Sequence, residues 1–356
     1  MGHQQFKIPF FLCIFLLVLN TFSCEKPIGP ADEQPAIHHE WTTVLNTRTW
    51  ATSLIEVPSH PGTLLLTGTQ VFLDSCIGGL YRSTDWGATW TELYDGIDFI
   101  GPSYVEGDPP RVYATMGVRF DDMLPVQSFD AGLTWSAITD TLPAIYNHES
   151  FLKIISKSDN PLDIILVSSF LPSDFGGRSW RSFNGGQSWT LINPYNLASV
   201  SLIVRNPFDP NSIAVSANGY FFHSYDNGLT WNQLFPFGTG LGKIQFMDEE
   251  SQWIFTNNKD SMYETFNGGE SFTPFGEELP EGSIFEDFVY DNGGIVAAVY
   301  VPSGDYFLYR MDLEERVWTE WYQIPILGSM RLVQAGDYLF IVVNDGMFHT
   351  VTVMRY

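Results

Sequence analysis

The sequence predicts an all-β fold, a single seven-bladed β-propeller whose last blade is completed by the N-terminal strand of the domain. Two observations support this prediction. An eight-residue pattern, Ser-x-Asp-x-Gly-x-Thr-Trp, returns along the 356-residue chain at intervals of roughly 40 to 55 residues, which is the length of one four-stranded blade. Strand-like apolar runs flank the copies, and Gly and Pro interrupt every window that is long enough for a helical period of apolar residues.

The repeat is complete in residues 83–90, 128–135 and 224–231, whereas Asn replaces Asp in residues 182–189 and 265–272. Hydroxyl and carboxylate or amide side chains bond to the backbone of a turn, Gly allows a positive φ, and the last aromatic residue covers apolar surface. The repeats are therefore predicted to be structural turns between strands. Their turn-forming residues are Ser83, Asp85, Gly87, Trp90, Ser128, Asp130, Gly132, Trp135, Ser182, Asn184, Gly186, Trp189, Ser224, Asp226, Gly228, Trp231, Thr265, Asn267, Gly269 and Phe272.

The last aromatic residue of each repeat counts the blades. The five repeats account for five blades, and Trp318 marks a sixth, in which the repeat has decayed. The chain then ends in three strand-like runs, at residues 330–334, 338–343 and 347–350. Trp41 begins a strand that no repeat precedes, so we expect this strand to join the last three as the seventh blade and leave no open sheet edge. Six or eight blades remain alternatives.

The N-terminal region is predicted to lie outside the fold, with residues 1–23 as a targeting signal, residues 24–39 as a flexible tether and residues 40–356 as the propeller. A positively charged start precedes the apolar run of residues 8–19, which is too short to span a bilayer. The exit at Cys24 resembles a bacterial lipoprotein signal, in which the cysteine carries the lipid. An ordinary secretory signal is the alternative. We expect an exported lipoprotein of the cell envelope, periplasmic or surface-facing and anchored to the membrane.

The formal charge of −24 argues against nucleic acid or an anionic membrane surface as a partner, because both would repel the protein. A lipid anchor is therefore the expected membrane contact. Neither the three cysteines nor the histidines show metal-ligand spacing, so we expect no metal site, no cofactor and a monomeric protein. The acidic pairs are interpreted as solvated surface; they are Glu249 with Glu250, Glu286 with Asp287, and Glu314 with Glu315.

The eight-residue pattern resembles the Asp box, or BNR repeat, of bacterial sialidases, sortilin-type receptors, xyloglucan-active endoglucanases and photosystem assembly factors. In those families the box joins the two outer strands of a propeller blade. The resemblance covers nearly all of the chain after the tether, and it implies that the boxes lie on the face away from the usual ligand site. The Phe-Arg-Ile-Pro start of sialidases is absent from this sequence. Arg82, Arg181 and Arg310 stand at equivalent positions, which indicates blade structure rather than a substrate-binding cluster.

The candidate binding site is a rim of long connections between second and third strands, on the face opposite the boxes. These connections lie in the first three blades and place aromatic residues beside acidic ones. The candidate binding residues are Phe72, Asp74, Phe120, Asp121, Asp122, Phe170, Asp174 and Phe175. Rings offer stacking area and acids direct hydrogen bonds, so the rim suits a polypeptide or a glycan. The alternative is that these rings only pack the loops against the sheets.

The predicted function is a non-catalytic module that binds a protein or glycan ligand on this face. Repeats cover the whole domain without any catalytic constellation, and a fold alone does not supply a function. No catalytic residue is assigned. The alternative is a glycoside hydrolase or lyase that acts on extracellular glycans, in which Asp121 or Asp122 would pair with Asp174 as the two carboxylates.

Overall fold

The computed structural model describes residues 41–69, 78–105, 110–117, 123–138, 149–157, 159–170, 179–192, 200–238, 240–259, 261–275, 279–291, 293–345 and 350–356. Residues Glu40–Tyr356 form one compact unit. In the described ranges the regular elements are all β-strands, and none of these ranges contains a helix long and apolar enough to cross a membrane. The strands form seven antiparallel sheets of four strands each, which are the blades of a propeller. The predicted fold class is confirmed.

The first three blades follow one another along the chain. Blade 1 contains β2 (Trp50–Glu56), β3 (Leu64–Thr69), β4 (Gly79–Ser83) and β5 (Thr91–Asp95). Blade 2 contains β6 (Asp98–Val105), β7 (Arg111–Gly117), β8 (Leu124–Ser128) and β9 (Ser136–Ala137). Blade 3 contains β10 (Glu149–Lys157), β11 (Asn160–Phe170), β12 (Ser179–Ser182) and β13 (Thr190–Leu191). In each blade the strands run antiparallel from the innermost to the outermost in chain order.

The next three blades repeat this order, and the seventh combines both ends of the domain. Blade 4 contains β14 (Val200–Arg205), β15 (Ile213–Ala217), β16 (Tyr220–Ser224) and β17 (Asn232–Pro236). Blade 5 contains β18 (Lys243–Phe246), β19 (Ile254–Asn257), β20 (Met262–Thr265) and β21 (Thr273–Phe275). Blade 6 contains β22 (Ile284–Asp291), β23 (Gly294–Tyr300), β24 (Tyr306–Asp312) and β25 (Trp318–Ile324). Blade 7 contains β26 (Ser329–Ala335), β27 (Tyr338–Asp345), β28 (Thr350–Arg355) and β1 (Thr42–Thr47).

The ring closes as predicted, because β1 pairs antiparallel with β28 from Thr42 opposite Arg355 to Thr47 opposite Val351. The third C-terminal strand is predicted at residues 347–350, of which Thr350 is the first residue of β28 and the others are not described. The strand β28 occupies Thr350–Arg355 because Val351 and Val353 are the residues that pack into the core, each fully buried. Residues 346–349 lie outside the described ranges.

The core consists of apolar layers between neighbouring blades. The second strand of a blade is covered on both faces, so β3, β15, β19 and β27 are buried almost throughout and read as continuous apolar runs rather than alternating ones. Between blades 7 and 1, for example, Phe340 and Val342 pack against Leu64 and Leu66. Burial of each such side chain contributes about 1.5–3 kcal/mol to folding, so the ring is held together by these interfaces.

Each eight-residue repeat is a turn from the third strand of a blade to the fourth. Ser83 accepts a hydrogen bond from the Gly87 amide (2.8 Å) and donates to Oδ1 of Asp85 (2.8 Å). Asp85 also accepts from the Thr89 amide (2.8 Å) and hydroxyl (2.6 Å), and the Trp90 indole donates to the Gly87 carbonyl (3.0 Å). The same bonds recur in residues 128–135 and 224–231.

Where Asn replaces Asp in the repeat, the turn keeps its shape. Asn184 accepts from the hydroxyl of Ser182 (2.8 Å) and the amide of Ser188 (2.9 Å), and its amide nitrogen donates to the Ser188 hydroxyl (2.9 Å). In the acidic copies, desolvation raises the carboxyl pKa but is outweighed by the hydrogen bonds from within the turn. The pKa of Asp85, Asp130 and Asp226 is therefore lowered.

The repeats also join neighbouring blades. In three blades the residue before a repeat, and in blade 7 the last residue of β28, donates a hydrogen bond to the carbonyl of the residue that precedes the turn glycine in the next blade. These bonds are Arg82 Nε to Ala131 (3.1 Å), Arg181 Nη1 to Asn227 (2.8 Å), His223 Nδ1 to Gly268 (2.8 Å) and, in the closing blade, Arg355 Nη1 to Trp86 (2.9 Å). All four acceptor residues have positive φ, between 56° and 68°, which turns their carbonyls toward the preceding blade.

Candidate functional site

The predicted rim falls almost entirely outside the described residues, and so it stays a prediction. Phe72, Asp74, Phe120, Asp121, Asp122, Asp174 and Phe175 lie in residues 70–77, 118–122 and 171–178, and Cys24 is likewise outside the described ranges. Phe170 is the last residue of β11. The flanking strand ends, such as Thr69 and Gly79, lie on the face opposite the repeats. We call the face with the repeats the turn face, and the opposite one the mouth face.

A cavity of about 760 Å³ opens on the mouth face, at the end of the channel that the innermost strands of the blades surround. Its walls come from the first residues of β2, β22 and β26, from the last residue of β19 and from residues 240–242. Four blades, 5, 6, 7 and 1, thus meet at this cavity. A concave space of this size is large enough to bury a short peptide segment or a few sugar units.

Three charged side chains line the cavity. Lys259 and Arg331 are exposed to solvent, whereas Glu286 is half-buried. Lys259 comes from blade 5, Glu286 from blade 6 and Arg331 from blade 7. Burial is the main effect on Glu286 and raises its pKa, although the backbone amide of Met330 and the charges of Lys259 and Arg331 oppose the rise. The cavity therefore presents two cations and one acid, Glu286, and the burial of this acid disfavours its ionised form.

The acid next in sequence has a different role. Asp287 is buried, accepts hydrogen bonds from the Phe288 and Leu332 amides (both 2.8 Å) and lies 3.3 Å from the Lys243 ammonium. This carboxylate joins blades 5, 6 and 7 beneath the cavity. The prediction that Glu286 and Asp287 form a solvated pair is therefore wrong, because the innermost strand carries them into the channel wall.

Two asparagines at the ends of second strands differ in their bonding. Asn344 is buried, and its carboxamide accepts from the Ala51 amide (2.8 Å) and donates to the Ala51 carbonyl (2.9 Å), which links blade 7 to blade 1. Asn257 is equally buried, yet its Oδ1 has no hydrogen-bond partner among the described residues. Both residues line the cavity. The Asn257 oxygen is thus an acceptor whose donor is absent from the described protein, and a buried acceptor of this kind is costly to leave unpaired.

Further along the channel, the half-buried Lys153 of β10 lines a second cavity of about 340 Å³, together with Ser103, Ser156 and Arg205. Desolvation and, secondarily, the charge of Arg331 lower the pKa of Lys153 to about 8. Lys153 belongs to blade 3 and Arg331 to blade 7, on opposite sides of the ring. Their charges influence one another across the channel.

The turn face has a different surface. Six of the thirteen exposed large apolar side chains among the described residues lie there, at the second and sixth positions of the repeats: Phe129, Phe183, Tyr225, Phe266, Leu133 and Leu229. Arginine side chains stack on three of these rings, with distances to the ring centroid of 4.9 Å for Arg111 on Phe129, 4.4 Å for Arg181 on Phe183 and 6.0 Å for Arg316 on Phe266. The rings thus have partners within the fold.

No protein-family model matches the chain. Among curated proteins, the xyloglucanase Xgh74A of Acetivibrio thermocellus is 26% identical over 199 residues, which are 46% of this chain and 23% of the xyloglucanase. The chain therefore spans about a quarter of the length of that relative. Among solved structures, YCF48 from Cyanidioschyzon merolae matches with a TM-score of 0.63 and 16% identity, over 89% of this chain and 98% of YCF48. The chain shares its propeller fold with YCF48. A structure of YCF48 bound to a D1 peptide matches with a TM-score of 0.64 and 14% identity, over 90% of this chain and 97% of that YCF48 chain.

Sequence reasoning did not single out Lys259 and Arg331, and it misread Glu286. One signal could have found two of them. Glu286 and Arg331 are charged residues near the start of apolar strands that begin a blade, and the first strand of a blade borders the channel. Lys259 has no such signal, because it follows the second strand of blade 5. These three residues, with Asn257 and the more distant Lys153, form the candidate site.

Proposed function

We propose that this protein is a non-catalytic binding module that holds a polypeptide segment in the cavity of the mouth face. The observation that carries the proposal is the cavity itself, about 760 Å³ at the meeting point of four blades, with charged, amide and aromatic groups in its walls. Pockets that combine apolar surface with a few placed polar groups are the usual sites of ligand binding.

The groups in the walls fit a peptide. The unpaired Oδ1 of Asn257 requires a donor, which a peptide N–H supplies. Trp50 contributes an aromatic residue to the wall, and Lys259, Arg331 and Glu286 offer charges for polar side chains. The long connections predicted as a rim join strands that end on the same face, so they would extend this surface.

The comparison with known structures supports a peptide as the ligand type. YCF48 matches this chain over nearly the full length of both proteins, and one of its structures is of a complex with a D1 peptide. The xyloglucanase match, in contrast, covers 23% of the relative. We take the repeats to be Asp boxes, as their sequence suggests, with a structural role on the other face.

The second candidate function is a glycoside hydrolase, which the similarity to xyloglucanase favours. Such enzymes need two carboxylates about 5–10 Å apart. In the described walls of the cavity, Glu286 is the one carboxylate, since Asp287 is bound by Lys243 and two amides. Hydrolysis would therefore depend on Asp121, Asp122 or Asp174.

We further propose that the chain is exported and lipid-anchored through Cys24, with residues 24–39 as a tether. Thr42, the first residue of β1, lies opposite Arg355 at the turn-face end of blade 7. Mass spectrometry of the N-terminus of the mature protein tests this proposal. A diacylated or triacylated Cys24 is expected, and an unmodified cysteine or cleavage at another position would contradict the anchor.

A peptide selection tests the proposed function. The immobilised protein is presented with a random peptide library, and the affinity of the enriched peptides is measured for the wild type and for Trp50→Ala. The turn-face variant Leu229→Ser is the matched control, because Leu229 is exposed on the opposite side. Weaker binding by Trp50→Ala alone is expected. Binding that only Leu229→Ser weakens would refute the proposal.

A hydrolysis assay separates the two candidate functions. The purified protein is incubated with xyloglucan, mixed-linkage β-glucan and sialosides, alongside Asp122→Asn and Asp174→Asn. We expect no release of sugar. Turnover by the wild type that either substitution abolishes would establish the enzyme instead.

A further inference from the structure

We propose that the mouth of the channel recognises a carboxylate of the bound peptide, which Arg331 and Lys259 bind together. This inference rests on the proposed function and specifies the chemistry of the ligand. The carboxylate belongs to an acidic side chain or to the C-terminus of the peptide, and the experiment below distinguishes these two sources.

The first argument is the local charge. The protein has 41 acidic residues and 17 Lys and Arg residues, so a random part of its surface carries a clear excess of acids. In the described walls of the mouth cavity the balance is reversed, with Lys259 and Arg331 against Glu286. The concave wall focuses the field of the two cations, and this attracts an anion despite the net charge of the protein.

The second argument is that no described carboxylate lies within ion-pair distance of these two cations, although both act on Glu286 at longer range. Five other basic residues have a carboxylate within 4 Å: Lys243 pairs with Asp287, Lys157 with Asp159 and Arg310 with Asp291, and Arg181 and Arg316 are also paired. Neither Lys259 nor Arg331 forms such an ion pair with a described residue. Their donors are therefore available to a ligand that enters from the mouth face.

The third argument is the placement of Lys153. This residue stands in the middle of β10, and Arg331 interacts with it electrostatically from the opposite blade. Like charges that share a channel repel one another, and an anion between or beside them reduces the repulsion. A carboxylate at the mouth would relieve this repulsion and would strengthen its own binding.

The shape of the donors favours a carboxylate. The planar guanidinium of Arg331 offers two parallel N–H groups that match the two oxygens of a carboxylate, and the Lys259 ammonium adds a point charge. Asn257 lines the same cavity, and its Oδ1 is an acceptor without a partner among the described residues. A peptide carries carboxylates and N–H donors at close spacing, which is the combination that this wall presents.

The experiment uses the full-length protein and four probes in about 0.1 M NaCl, where long-range repulsion is screened. The first is an acetylated, amidated Gly/Ser decapeptide with two central Glu residues, and the second is the same peptide with Gln. The third is an acetylated Gly/Ser decapeptide with a free C-terminal carboxylate. The fourth is glucuronic acid. Dissociation constants are measured by calorimetry.

We expect the Glu peptide or the free-terminus peptide to bind at least tenfold more tightly than the Gln peptide, because charge-assisted hydrogen bonds are the strong ones. The tighter of the two identifies the source of the carboxylate. The double variant Arg331→Gln, Lys259→Gln should lose this preference. The matched control Arg310→Gln, Lys157→Gln removes the same charges from paired surface sites and should retain it. Thermal unfolding of both variants verifies that they fold.

Three results would overturn the inference. Equal affinities for the Glu, Gln and free-terminus peptides, or equal weakening by both double variants, would show that carboxylates are not recognised at the mouth. Binding of glucuronic acid without binding of any peptide would assign the site to an acidic glycan. Failure of the inference leaves the peptide selection unaffected, since peptides that bind through Trp50 without a carboxylate would uphold the proposed function alone.

Discussion

Removal of the Lys153 charge should stabilise the protein. Desolvation and the charge of Arg331 lower the pKa of Lys153 from the ordinary 10.5 to about 8. Each unit of pKa is worth about 1.36 kcal/mol, so the charged form costs at most about 3 kcal/mol in the folded state. The side chain is half-buried, and solvent reduces this figure. We expect Lys153→Met to raise the free energy of unfolding by about 1–3 kcal/mol at pH 7, measured by urea denaturation with tryptophan fluorescence.

The lowered pKa of Lys153 also determines how its effect on stability changes with pH. Because the pKa of Lys153 is lowered by folding, the unfolded chain binds more protons than the folded one between pH 8 and 10.5. Raising the pH through this window therefore stabilises the wild type relative to Lys153→Met. The difference in free energy of unfolding between the two proteins should have its full value below pH 8 and should shrink as the pH approaches 10.5.

The control is Lys157→Met. Lys157 lies on the same strand but pairs with Asp159 at 3.0 Å on the surface, so its replacement should change the free energy of unfolding by less than about 0.5 kcal/mol. A Lys153→Met protein that is less stable than the wild type, or a difference that does not depend on pH, would refute the reasoning.

Three further predictions concern the framework. Asp130→Ala should lower the free energy of unfolding by about 1 kcal/mol near neutral pH, and Asp130→Asn should lower it less, because Asn fills this position in two other repeats. Folding lowers the pKa of Asp130, so chemical denaturation should show that its stabilising contribution is lost as the pH falls below about 3.8. Asn344→Ala should lower the free energy of unfolding by about 2–4 kcal/mol, because two buried groups of Ala51 lose their partner; Asn257→Ala should cost less than half as much, and equal losses would contradict the assignment. Arg355→Gln should lower the melting temperature, at a cost of about 1 kcal/mol, through loss of the bond to Trp86; an unchanged melting curve would argue against a link at the closing blade.

The fold could be predicted from the sequence because the repeats are local. Their bonds join residues no more than four positions apart, such as Ser83 with Gly87 and Asp85 with Thr89, so the pattern of residue types determines the turn. Their spacing then fixes the size of a blade. Closure by β1 was predictable for a different reason, since an N-terminal strand without a blade and a C-terminal blade with three strands complete one another.

The site was less predictable because its parts are distant in sequence. Lys153, Lys259 and Arg331 come from blades 3, 5 and 7, and only the ring brings them to one channel. The same limitation explains the error at Asp287, whose partners Lys243 and Leu332 lie in other blades. A strand-level pattern shows that a charged residue interrupts an apolar run, but it does not show what faces that residue.

Hydrogen–deuterium exchange of the full-length protein, with and without a selected peptide, tests most directly which face binds. Slower exchange is predicted in residues 50–52, 257–259, 285–286 and 329–331, which line the mouth of the channel. The repeats at residues 83–90, 128–135 and 224–231 should exchange at unchanged rates. Protection of the repeats without protection of the mouth would contradict the account.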